Sequence, residues 1–173
     1  MIARRAVLAL VALAYPACYR PEQEPEAPTV AARGEPVQFT FGTLDGTELS
    51  SDTTRGRTTA LLFVTTYDLP SQAQALILRD VLASHKPRAN GAIVMMEPPR
   101  SAPLVQVWAD SLALHLPVAM ASPSLLSGDS QLGRIDGVPS LLVLDRRGRV
   151  VARRSGAQSR EQIAALLAQA DAE

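Results

Sequence analysis

The chain has 173 residues, 47% hydrophobic and 20% charged, with 17 basic and 17 acidic side chains and a single cysteine, Cys18. That length suits one domain, and the even charge leaves no basic footprint for nucleic acid. One thiol makes neither an intramolecular disulfide, nor a CxxC pair, nor a cysteine-rich zinc or iron–sulfur site, and two histidines, His85 and His115, are too few for a histidine metal centre. No cofactor and no metal are expected.

Met1 to Arg5 is short and positive, Ala6 to Ala14 is unbroken apolar, and Tyr15-Pro16-Ala17-Cys18 follows. An apolar run of about 7–15 residues behind basic ones reads as a signal peptide, whereas a spanning helix needs about 20. Residues 1–17 are therefore assigned as the signal; a retained short anchor is disfavoured because Pro16 and the charged stretch after Arg20 end the run early. The segment resembles a bacterial lipobox, with small Ala17 before Cys18, while Tyr15 and Pro16 depart from the usual pattern. The resemblance implies lipid attachment at Cys18, ordinary cleavage nearby being the alternative. It also implies an exported, periplasm-facing lipoprotein of a bacterial cell envelope, whose partner through the anchor is a membrane. Tyr19, in place of an aspartate, favours the outer membrane. Residues 18–36 carry Pro21, Pro25, Pro28, Pro36 and several glutamates, a solvated and extended tether. The folded domain is expected over 37–173.

Val37 to Phe41 alternates apolar and polar and predicts a half-buried strand. Asp45-Gly46 predicts a turn. Thr58 to Thr66 is β-branched and apolar, the pattern of a central strand covered on both faces. Ser71 precedes a helix from Gln72 to about Ser84, with Ala75, Leu78 and Leu82 inward. Ala92 to Met96 is a second buried strand. Pro103 to Ala113 predicts a short helix with Leu104, Val107, Trp108 and Leu112 on one side. Leu116 to Met120 is a short strand, and Ser122 to Ile135 is ambiguous. Ser140–Leu144 and Arg149–Arg153 flank Asp145-Arg146-Arg147-Gly148 as a hairpin. Ser159 and Gln162 fit a capping box for a last helix, Arg160 to about Ala170. The order β-(turn)-β-α-β-α-β-β-β-α predicts an α/β fold, a mixed central sheet with helices on both faces.

Phe63-Val64-Thr65-Thr66-Tyr67-Asp68-Leu69-Pro70-Ser71 and Gly137-Val138-Pro139-Ser140, taken with this order, resemble the thioredoxin superfamily. The nearest branch is the exported TlpA-like thiol-disulfide reductases, which overlap the AhpC/TSA group. The likeness runs from about Phe39 to Leu167. It implies a thioredoxin-like fold, a first hairpin over Phe41–Ser50, and a cis-proline at Pro139. It also places Asp68 and Ser71 at the attacking and resolving cysteines, Tyr67 at a tryptophan position, and Leu62 near a buried acid of some relatives. Disulfide exchange needs a thiolate and a second sulfur. Asp68 and Ser71 supply neither, so these are degenerate active-site positions and no catalytic residue is assigned.

Asp68, Ser71 and His85 could be read as a hydrolase set, but Asp68 and Ser71 also suit a helix start. His115 reads as structural, Trp108 as helix packing, and Gly156 as a bend. Asp110 and Glu97 lack a ligand cluster. Arg146, Arg147, Arg149, Arg153 and Arg154 read as a solvated hairpin; Arg149 and Arg153 should share a face opposite Arg154. Docking of an acidic partner ranks second, and phospholipid attraction last, given the acidic tether. The leading functional expectation is a redox-inactive, non-enzymatic binding or scaffolding domain whose groove at Tyr67, Val138 and Pro139 takes an envelope protein or extended peptide. The alternative is a thiol-disulfide oxidoreductase or peroxiredoxin-related envelope protein.

Overall fold

The computed structural model describes residues 34–173; the signal segment, Cys18 and most of the tether lie outside the described residues. The chain runs β1 (Thr40–Gly42), β2 (Glu48–Ser50), α1 (Ser51–Thr54), β3 (Thr59–Val64), α2 (Leu69–Ser84), β4 (Asn90–Met95), α3 (Ala102–Ser111), β5 (Val118–Met120), α4 (Pro123–Ser127), β6 (Ser140–Leu144), β7 (Val150–Ser155) and α5 (Arg160–Asp171). The main sheet has the order β5-β4-β3-β6-β7. β3, β4 and β5 are parallel, while β6 is antiparallel to both β3 and β7. The expected mixed sheet is thus present.

β3 is central because all six of its residues are buried, so either face has a protein layer over it. Alternation sends Leu62 and Val64 to one side, among Leu78 of α2, Val105 of α3 and Leu167 of α5. It sends Leu61 and Phe63 to the other, among Phe39, Phe41, Leu125 of α4, Leu132 and Leu142. Helices therefore cover both faces, three long ones on the first and short α4 beside the β1–β2 hairpin on the second. The hairpin is tied on by a bridge between Thr43 and Ala119.

Its turn shows why the sequence signal was readable. Gly46 takes φ +81°, where a Cβ would be strained. Asp45 Oδ1 accepts from the Thr43 hydroxyl at 2.5 Å, the Thr47 hydroxyl at 2.7 Å and the Thr47 N–H at 3.0 Å. These bonds, the Thr43 hydroxyl first, hold its carboxyl down at about 2.

Several boundaries and faces differ from expectation. The first strand begins at Thr40 rather than Val37, because Val37 N–H is spent on Gly148 O at 3.0 Å. β2 and α1 were absent from the element order read off the pattern; the hairpin that β2 closes was carried only by the family resemblance. α2 starts at Leu69, ahead of Ser71, because Asp68 caps it and Pro70 suits its first turn. On α3 the buried residues are Val105, Trp108 and Ala109, whereas Leu104 and Val107 are 57% and 66% exposed. An i, i+3, i+4 stripe leaves those two residues on the outer face. Within 122–135 only Pro123–Ser127 is helical.

The arginines of β7 also divide differently. A bulge opposite Val143/Leu144 sets Leu144 against Val150 and Val143 against Ala152, so Val151 and Ala152 both turn to the α5 side. Arg149 therefore pairs with Asp145 at 2.6 Å and with Glu173 beyond α5 at 3.8 Å. Arg153 reaches the carbonyls of Leu132 and Arg134 on the opposite side. The two do not share a face.

α5 has the expected capping box: Ser159 Oγ accepts from Gln162 N–H at 3.2 Å, and Gln162 Oε1 accepts from Ser159 N–H at 2.7 Å. Ser159→Ala is expected to lower stability by about 1 kcal/mol, measured as a shifted urea midpoint with unchanged slope.

Candidate functional site

The sequence likeness points to the turn from β3 into α2. β3 ends at Val64, and the next two backbone N–H groups are held by side chains. Thr65 N–H donates to Ser71 Oγ at 3.5 Å, and Thr66 N–H donates to Glu97 Oε1 at 2.6 Å. Asp68 then starts the helix. Its Oδ2 accepts from Ser71 N–H at 2.9 Å and from the Ser71 hydroxyl at 2.5 Å. Ser71 is completely buried. The carboxylate thus satisfies a helix-terminal donor of the kind that otherwise lacks a partner, and the hydroxyl proton is committed to it.

The second loop is brought in by sheet register. Ser140 of β6 pairs with Phe63 of β3, which sets Pro139 beside the exit of β3. The Val138–Pro139 peptide bond is cis, as the family resemblance implied. Two bonds fix this loop: Ser140 Oγ donates to Gly137 O at 2.6 Å, and Gly156 N–H donates to Pro139 O at 2.8 Å. Pro139 is buried and Val138 half-buried. On the β3–α2 turn, Tyr67 is 80% exposed and Leu69 75%.

Two supporting roles escaped the sequence reading, which weighed Glu97 only as a metal ligand. Gln74 is buried on the apolar side of α2, where its Oε1 accepts from Gln158 N–H at 2.6 Å and its Nε2 donates to Gln158 O at 3.2 Å. It clamps the β7–α5 loop against the site helix. Glu97 is buried just past β4 and holds the β3–α2 turn. Each carried a signal: a polar residue in register with Ala75 and Leu78, and a charge directly after an apolar strand.

The hydrolase set is not assembled. His85 lies at the far end of α2, about 24 Å along a 16-residue helix from its start. There its Nε2 meets Asp171 Oδ2 at 2.7 Å, and Asp171 Oδ1 accepts from the Thr58 hydroxyl at 2.7 Å. Ser71 therefore has no histidine base. His115 is exposed rather than a satisfied structural residue, and Trp108 packs in the core as expected. Among the described residues no cluster of three or more His, Cys, Asp or Glu is placed to hold a metal ion.

Two open concavities of 440 and 520 Å³ lie elsewhere, one along Phe39, Ser51, Ser124 and Gln131, the other along Thr47, Arg57, Arg88 and His115. Neither includes Tyr67, Val138 or Pro139.

No protein-family model and no curated protein matches the sequence. Solved structures do match the fold. A thiol:disulfide interchange protein of the thioredoxin family from Chlorobium tepidum TLS is 24% identical with a TM-score of 0.65, over 81% of this chain and 97% of its own. A secreted thiol-disulfide isomerase from Corynebacterium glutamicum gives 16% and 0.69, over 82% and 87%. A secreted Mycobacterium tuberculosis disulfide oxidoreductase gives 19% and 0.61, over 76% and 96%. At these identities the likeness establishes the fold: this chain has the thioredoxin fold, without a CxxC pair.

Proposed function

We propose that this thioredoxin-fold chain is a redox-inactive binding module of the cell envelope, exported and held at a membrane through an acylated Cys18. The surface of exposed Tyr67 and Leu69 and half-buried Val138, beside the buried Pro139, takes an extended peptide of an envelope protein, and no bond is made or broken there. The observation that carries this reading is the Asp68–Ser71 pair. It fills the two positions where the sequence likeness puts redox cysteines, and both side chains are spent on each other and on the α2 start. Yet the apolar residues beside them stay exposed. A large exposed Tyr beside a rigid loop is the kind of anchor that dominates binding interfaces. The exported fold-mates support an envelope setting.

Cross-linking from a photoreactive group at position 67, followed by mass spectrometry, identifies the peptide. Tyr67→Ala is then expected to weaken that peptide's binding about thirtyfold, corresponding to about 2 kcal/mol, with thermal stability unchanged because Tyr67 is exposed. An unchanged affinity moves the site off this surface. Insulin reduction by the full chain carrying Cys18→Ser would overturn the redox-inactive reading.

A further inference from the structure

The sheet register gathers cations that are scattered in the sequence. Thr59, the first residue of β3, pairs with Asn90 of β4 on one side and Leu144 of β6 on the other. Arg57, Arg88 and Arg146 each lie two residues beyond these three neighbours, at the same edge of the sheet. Adjacent strands are about 4.8 Å apart, so the three stand side by side. Further bonds tie the edge together: Gly56 N–H donates to Arg146 O at 2.8 Å, and Asn90 N–H to Thr58 O at 2.8 Å. Arg57 and Arg88 line one concavity. Arg147 follows Arg146 in the β6–β7 turn, and Lys86 sits in the loop before Arg88.

All five side chains are exposed, and no ion pair or side-chain hydrogen bond engages any of them among the described residues. Three acids at this end, Asp145, Asp171 and Glu173, are turned inward, and Asp52 is exposed. Asp145 and Glu173 hold Arg149, Asp171 holds His85, and Asp52 holds Arg55. Glu35 and Glu48 are the exposed carboxylates without such a partner. The tether enters at the same end, since Val37 N–H donates to Gly148 O at 3.0 Å in the turn that carries Arg146 and Arg147.

We infer that this end of the domain, through Arg57, Lys86, Arg88, Arg146 and Arg147, is a docking surface for an anionic lipid bilayer. Clustered Lys and Arg are drawn to anionic headgroups within a Debye length, and a chain rooted at the basic end holds that end closest to whatever anchors it. Tyr67 and Pro139 lie at the other end of β3, about 20 Å away. Docking therefore points the peptide surface away from the membrane. The surface does not depend on acylation of Cys18 or on peptide binding, so it can fail or stand separately from both.

The test is vesicle flotation of the full chain carrying Cys18→Ser, with phosphatidylcholine vesicles and with vesicles containing 30% phosphatidylglycerol. The basic and apolar N-terminal segment is common to every variant, so the change between variants in the ratio of binding to the two vesicle types is read. Wild-type side chains are expected to give a ratio of about ten or more in low salt, collapsing at high salt. Arg57→Gln/Lys86→Gln/Arg146→Gln/Arg147→Gln should lower the ratio at least severalfold with its melting temperature unchanged. Arg100→Gln/Arg134→Gln, at the opposite end, should leave it as it was. An equal loss per charge removed in the two variants would overturn the surface in favour of net charge. Abolition by millimolar inorganic phosphate in constant ionic strength would overturn it in favour of a small-anion site at Arg57 and Arg88. A ratio near one for the wild-type side chains would overturn it outright.

Discussion

Asp68→Cys/Ser71→Cys is expected to form an intramolecular disulfide and to gain insulin-reducing activity over the parent chain. The side chains already converge, with Asp68 Oδ2 and Ser71 Oγ 2.5 Å apart at the start of α2. The Pro139 loop is already in place beside them. A thiol at a helix N-terminus loses its proton more readily than a free cysteine. If its pKa falls by about two units, the thiolate fraction at pH 7 rises about twentyfold, partly offset by lower nucleophilicity. The loss of the Asp68 cap should cost about 1 kcal/mol. The measurements are thiol titration before and after mild oxidation, and turbidity from reduced insulin, both in the Cys18→Ser background. A folded double variant that keeps both thiols free under oxidant would show that positions 68 and 71 do not face each other as described.

Asp145→Ala is expected to be the most destabilising of the single changes named here, by about 3 kcal/mol. Asp145 is buried at the end of β6. Its Oδ1 accepts from Arg147 N–H at 2.9 Å and Arg149 N–H at 2.8 Å, and its Oδ2 faces the Arg149 guanidinium at 2.6 Å. Truncation leaves two backbone donors and a mostly buried guanidinium without their acceptor. Burial by itself works against the charged carboxylate, but the bonds from Arg149 and Arg147 outweigh it and hold the group below its ordinary range. A carboxyl depressed in the folded state contributes stability that is present above the unfolded value of about 3.9 and is lost as pH falls through the folded one. Urea unfolding of the parent should therefore weaken below about pH 4, and Asp145→Ala should flatten that part of the profile. An equally steep acid limb in the variant would assign the pH dependence to other carboxylates.

Much of the fold was legible because its signals are local. The β-branched run around Leu61 and Leu62 marked the central strand, Ser159 and Gln162 marked the last helix, and Asp45-Gly46 marked the hairpin turn. The misses have local causes too. Two consecutive inward residues at Val151 and Ala152 follow from a bulge, which no period-2 pattern encodes. Leu104 and Val107 read as inward because apolar spacing was matched without knowing which stripe faces the sheet. Of the candidate site, Asp68, Ser71 and Pro139 were found through the resemblance, while Glu97 and Gln74 act on partners 31 and 84 residues away.

The sequence by itself determined the missing chemistry: with one cysteine, at position 18, no CxxC pair can exist anywhere in this chain. It also determined the identities of the five strands of the main sheet and of the three long helices, because periodicity and caps are written in consecutive residues. Only the tertiary structure decided what stands beside what. Parallel and antiparallel pairing on β3 sets Pro139 next to the Asp68 turn at one end and gathers Arg57, Arg88 and Arg146 at the other. Such neighbours are made by hydrogen-bond register across the sheet, and register is a property of pairs of strands rather than of any one segment.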